Sequence, residues 1–142
     1  MTAVHSKKIV IKNTLEEVQR AITAFEAFAA EYNISDAIMY KVNIVLDELL
    51  SNIVKYSFPD DLEHEIDITL ELFTTGKLTL CLTDAGVPFN PFEAPDPDIS
   101  IPIEQREIGG LGILLVKKLM DEYHYKRQAN LNITSMMKHT QE

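Results

Sequence analysis

HEIDITLELFTTGKLTLCLTD, residues 64–84, alternates apolar and polar side chains on both sides of a single break. Ile66, Ile68, Leu70 and Leu72 are interleaved with Asp67, Thr69 and Glu71, the pattern of a strand with one buried face. Thr75-Gly76-Lys77 turns the chain, and Leu78, Leu80 and Leu82 resume the alternation. The spacing predicts an antiparallel hairpin over 64–83. Asp84 follows with the parity of the buried leucines, so its carboxylate is expected on the core side of the sheet.

Upstream, KKIVIK (7–12) alternates weakly as a short strand, and Asn13 or Thr14 can cap the helix that follows. Leu15, Val18, Ile22, Phe25, Ala29 and Tyr32 recur at helical spacing. Ser35 reads as a second cap, and Ile38, Val42, Val45, Leu49, Ile53 and Tyr56 extend a second amphipathic helix from Asp36 to Tyr56. Phe58-Pro59-Asp60 ends it. Downstream, residues 88–102 hold five of the six prolines, which excludes regular helix or central strand there. A helix is expected from about Gly110 to Asp121, then strands near 123–128 and 131–138. This order predicts an α/β two-layer sandwich: a mixed, mainly antiparallel sheet with its helices on one face.

The 142 residues fit a single domain, with a core expected over about 7–138. An apolar share of 46% and a charged share of 25% suit a soluble globular chain, and no stretch is long and apolar enough to cross a membrane. The N-terminus lacks a signal-peptide pattern, and the lone Cys81 fits a reducing compartment, so the expected location is the cytoplasm. A formal net charge of -9 argues against nucleic acid or an anionic membrane as a partner. Any phosphate must therefore be held by local features: backbone amides, a few cations and a metal.

Three places carry candidate chemistry. Glu48 and Asn52 lie one helical turn apart at the edge of the apolar stripe, with Lys55 beside them, where a carboxylate and an amide could activate a nucleophile and hold a metal. Taken alone, such a pair is most often a solvated face. Asp84 on the core side needs a donor, which an adenine exocyclic amine could supply; the bland alternative is a strand-ending Asp that starts a turn with Gly86. Gly86 would permit close approach of a flat ring or a positive φ. Gly109-Gly110-Leu111-Gly112 opens a helix and leaves backbone amides free for phosphate oxygens, a weak signal in isolation.

Together these segments resemble a known family. LDELLSNIVKYSF is similar to the asparagine box of GHKL ATPases, LTDAGVPFNPF to their first glycine box and GGLGILLVKKLMDE to the second, in the family's order and spacing. The whole run is most similar to the anti-sigma factor Ser/Thr kinases of partner-switching systems. That resemblance implies a GHKL ATP-binding fold with ATP and Mg2+ as cofactors. It makes Glu48 the general base, Asn52 the magnesium ligand and Asp84 the adenine-binding residue. Gly86 then lies under the ring, Gly110 and Gly112 contact the phosphates, and Lys55 and Thr134 are further nucleotide contacts. The implied partners are a STAS-domain antagonist that is phosphorylated on Ser or Thr and a sigma factor or other regulatory client that is sequestered. A homodimer is also allowed. The first box departs from the wider superfamily in lacking its second glycine, and Asn90 stands where the anti-sigma branch often has Asp. An ATP-gated binding module without phosphoryl transfer is the alternative, and residues 91–108 are expected to act as a lid over the triphosphate.

Overall fold

The computed structural model describes residues 3–93 and 110–141. The elements follow in the order β1 (His5–Lys12), α1 (Leu15–Glu31), α2 (Asp36–Tyr56), β2 (Glu65–Leu72), β3 (Lys77–Asp84), a short 3-10 turn (Pro91–Glu93), α3 (Gly110–Leu119), β4 (Glu122–Gln128) and β5 (Leu131–His139). The expected lid, residues 91–108, lies outside the described residues from 94 onward.

Five strands form one sheet in the order β1-β2-β3-β5-β4. All four described pairings are antiparallel, so the sheet is uniform where the sequence reading allowed a mixed one. The hairpin forms as its alternation requires, with Leu80 opposite Leu70 and Leu82 opposite Ile68. Phe73 N donates to Lys77 O at 2.9 Å, and Gly76 takes a φ of +83°, a region that favours glycine. At the other hairpin Ala129 and Asn130 both have positive φ, which matches the right-handed twist of β4 and β5.

One face of the sheet carries the core. Ile66, Ile68, Leu70, Leu78, Leu80 and Leu82 are at most 1% exposed and join Phe25, Phe28, Val45, Leu49 and Leu50 of the helices in one cluster. On the opposite face Thr69, Cys81 and Ser135 remain partly exposed. The expected two-layer arrangement therefore holds, with the helices packed on the apolar face.

Local signals fix the helix starts. The Thr14 side chain accepts from Glu17 N and Ser35 Oγ from Ile38 N, each satisfying an amide that the helix cannot. Asn13, the other candidate cap, instead ties β1 to the loop before β2 by donating to Leu62 O and accepting from His64 N. Helix α3 stops at Leu119, two residues short of the expected Asp121, because Asp121 turns to join the sheet: its N–H donates to Met137 O.

Candidate functional site

Asp84 ends β3 on the core face and is 3% exposed. Its Oδ1 accepts two hydrogen bonds, from Gly86 N at 2.9 Å and from Asn132 Nδ2 at 3.0 Å. Two donors on one oxygen offset part of the cost of a buried carboxylate.

Asn132 lies opposite Asp84 across the β3–β5 ladder and is 1% exposed. Its Nδ2 also donates to Val87 O at 2.8 Å, while its Oδ1 accepts from Phe89 N at 3.2 Å and from the Tyr125 hydroxyl. Reversing the amide would set donor against donor and acceptor against acceptor, so these four partners fix its orientation. The sequence reading named Thr134, on the same strand and face, as a nucleotide contact. Thr134 is buried one rung further along β5, opposite Leu82, and the residue that contacts Asp84 is Asn132.

Gly86 is required by close packing. A Cβ on it would lie 2.3 Å from Ser57 O and 2.6 Å from Ser57 Cβ. Among the described glycines only Gly76 has a positive φ, so the conformational reading of Gly86 gives way to the steric one. Val87 N donates to Ser57 O at 2.8 Å, which bolts the loop after β3 onto the C-terminal cap of α2, and Arg127 Nη1 donates to Gly86 O at 2.7 Å. Half-exposed Tyr56 sits beside this loop, its ring 5.8 Å from that of Phe89. A cleft of about 340 Å³ behind the loop, bordered by Phe58, His64 and Arg127, includes none of Glu48, Asn52 and Asp84.

Further up α2 are Glu48 and Asn52. The pair does share a helix side: Asn52 Nδ2 donates to Glu48 Oε1 at 3.2 Å, turning its own amide oxygen away from the carboxylate. Asn52 is 7% exposed and Glu48 is half-buried, so neither belongs to an ordinary solvated face. Lys55, one turn on, is exposed in the last turn of α2, where its charge also complements the helix dipole.

The Glu48 carboxylate rests against the start of α3. A Cβ on Gly112 would lie 2.0 Å from Glu48 Cδ and 2.2 Å from each carboxylate oxygen. Gly110 is the first residue of α3 and Gly112 the third, within the turn whose amides have no partner inside the helix. The sequence reading thus named two residues that the fold joins, although 64 positions separate Glu48 from Gly112. Nine residues of α2 separate Glu48 from Ser57, a rise of about 14 Å. The Asp84–Val87 loop and the Glu48–Gly112 contact therefore lie apart along one helix by a span that an extended nucleoside triphosphate could bridge.

No group of three or more His, Cys, Asp or Glu side chains among the described residues could hold a metal alone. The donor set fits magnesium nonetheless, because that ion keeps several waters and takes one or two protein oxygens together with substrate phosphates. Asn52, with its amide oxygen directed away from Glu48, could supply such a ligand.

Fold and site together define a two-layer domain of the ATPase type. The histidine kinase-like ATPase domain family matches residues 11–138, and the chain belongs to that family. It is 26% identical over 134 residues to the serine/threonine-protein kinase BtrW of Bordetella bronchiseptica, an alignment covering 90% of this chain and 94% of that one. It is 29% identical over 99 residues to the serine-protein kinase RsbW of Bacillus mycoides, covering 67% of this chain and 61% of that protein. Among solved structures, the RsbU and RsbW domains of a Mycobacterium tuberculosis protein match with a TM-score of 0.69 at 12% identity, over 95% of this chain and 32% of that one. The histidine kinase domain of a blue-light activated kinase from Erythrobacter litoralis matches with a TM-score of 0.57 at 13% identity, over 89% of this chain and 60% of that one. At these identities the structural matches establish the fold alone. No helix among the described residues is long and apolar enough to cross a membrane.

Proposed function

We propose that this chain is an ATP-dependent protein serine/threonine kinase of a cytoplasmic partner-switching system. The observation that carries the reading is the Glu48 carboxylate set against Gly112 at the start of α3, where phosphate would meet unpaired amides. The protein-kinase names of its sequence relatives support it. Asp84 accepts from the adenine amine, and the first-turn amides of α3 at Gly110 and Gly112 face the phosphates. Asn52 would hold magnesium, which would supply charge neutralisation on the phosphate oxygens. Glu48 accepts the proton of a Ser or Thr hydroxyl as its oxygen bonds to the γ-phosphorus and the bond from that phosphorus to the β–γ bridging oxygen breaks, releasing ADP. Lys55 adds a cation beside the phosphates.

The phosphoacceptor in this reading is a STAS-domain antagonist, and the competing client is a sigma factor or another regulator. Phosphorylation adds about -1.5 to -2 charges at the interface. This chain already carries a net charge of -9, so the modified antagonist is repelled. A three-component binding assay with Mg-ATP tests this. Unphosphorylated antagonist is expected to displace the client, and the phosphorylated form to bind at least tenfold more weakly. Simultaneous binding of both partners, or equal affinity for the two forms, would overturn the partner-switching mechanism.

A further inference from the structure

Asp84 is the residue through which an adenine would be read, yet a carboxylate at a strand end can rotate about its own bonds. Selectivity requires one oxygen to be fixed toward the base. The oxygen Oδ1 is saturated from the protein side, by Gly86 N and Asn132 Nδ2. This leaves Oδ2 as the oxygen with which a base could pair. Gly86 N is a backbone group two residues along the same turn, in the loop that Ser57 and Arg127 hold. Asn132 belongs to a different strand, is 1% exposed, and is itself held at both ends of its amide. Among the described residues its one side-chain anchor outside the 84–89 segment is the Tyr125 hydroxyl on edge strand β4; its other partners, Asp84, Val87 and Phe89, lie within that segment.

We propose that Asn132, oriented by Tyr125, is the positioning residue that fixes the Asp84 carboxylate and thereby sets selectivity for a 6-aminopurine. The inference rests on the reading of Asp84 as the adenine acceptor. Asn132 does not touch the base. It acts by removing the rotational freedom of Asp84 and by holding Val87 and Phe89 at the mouth of the site. A guanine presents a carbonyl at the 6 position and would set one acceptor against another, so a fixed Oδ2 rejects it. A carboxylate free to turn, or to admit a water between itself and the base, would discriminate less.

The test is binding of three magnesium nucleotides to the purified chain by calorimetry: ATP, GTP and purine riboside triphosphate, which lacks the amine. For the wild type, ATP is expected to bind about 10–100-fold more tightly than the amine-free analogue, the range for a hydrogen bond to a charged group. In Asn132→Ala that ratio is expected to fall to within about threefold of unity, and because the ratio compares two nucleotides on one variant it is read independently of any common loss of affinity from the loosened Val87 and Phe89. Tyr125→Phe keeps the ring and removes only the outside anchor; it is expected to lower the ratio severalfold, and it decides the matter should Asn132→Ala not fold. Asp84→Ala separates the two claims. If it leaves the ratio at the wild-type value, the adenine assignment itself fails. If it collapses the ratio while folded Asn132→Ala, or Tyr125→Phe, retains it, the positioning role is overturned and the assignment stands.

Discussion

At Gly86 and Gly112 the absence of a side chain does two different jobs. An alanine at Gly86 meets the Ser57 carbonyl oxygen at 2.3 Å, and a backbone atom in the α2 cap cannot step aside cheaply. Gly86→Ala is therefore expected to cost about 1–3 kcal/mol of stability, as overpacking does, measurable by denaturant unfolding. An alanine at Gly112 meets the tip of the flexible Glu48 side chain, which can swing away. Since alanine is about 1 kcal/mol better than glycine within a helix, Gly112→Ala should change stability by less than about 1 kcal/mol. It should still lower phosphoryl transfer at least tenfold, because the carboxylate is displaced. A large stability loss at Gly112 with transfer intact would contradict this division. Gly112, Glu48, Asn52 and Asp84 could be named as candidates from the sequence because each lies in a segment that resembles one of the family's boxes. Asn132 could not: nothing within β5 distinguishes it from Thr134, two residues on and on the same face. Its role follows only from the β3–β5 register, in which Leu80 lies opposite Met136 and Asp84 therefore opposite Asn132.

At the scale of elements, periodicity and caps foretold α1 and α2 and alternation foretold the β2–β3 hairpin, while β4 and β5 were expected as strands without their pairing. Strand β1 begins at His5, two residues before the expected start, because pairing with β2 carries the register to Leu72 across a polar segment with little pattern of its own. Sheet order was not legible, because β5 inserts between β3 and β4 through contacts distant in sequence. The start of α1 is fastened to β1 by Arg20, which donates to Val10 O at 2.6 Å and to Glu17. The hydrogen bond from Arg20, helped by one from Lys12 N, lowers the Glu17 pKa from 4.5 to about 2. A carboxylate depressed in the folded state stabilises fully above its unfolded pKa, and that contribution disappears as pH falls through the folded value. The wild type should thus lose stability between about pH 4.5 and about pH 2 more steeply than Glu17→Gln. Parallel pH profiles of the two would contradict the contact.

For the whole molecule, the proposed function assigns a reading end and a reacting end to two stations along one helix. Helix α2 holds the Asp84–Val87 loop at its C-terminal cap through Ser57 and presents Asn52 and Glu48 further up. The sheet supplies Asp84 and Asn132 from its central strands, and α3 supplies Gly112. Binding and chemistry are therefore separable by mutation, and the most direct measurement exploits that. Glu48→Gln keeps the size of the side chain and removes the base. Transfer of label from γ-labelled ATP to the antagonist should be followed beside calorimetric binding of the nucleotide, for both wild type and Glu48→Gln. The account predicts that the variant binds Mg-ATP within a few fold of the wild type while transfer falls by about 10²–10⁴. Transfer by Glu48→Gln at the wild-type rate, or no transfer by the wild type to any protein while ATP binds, would contradict it.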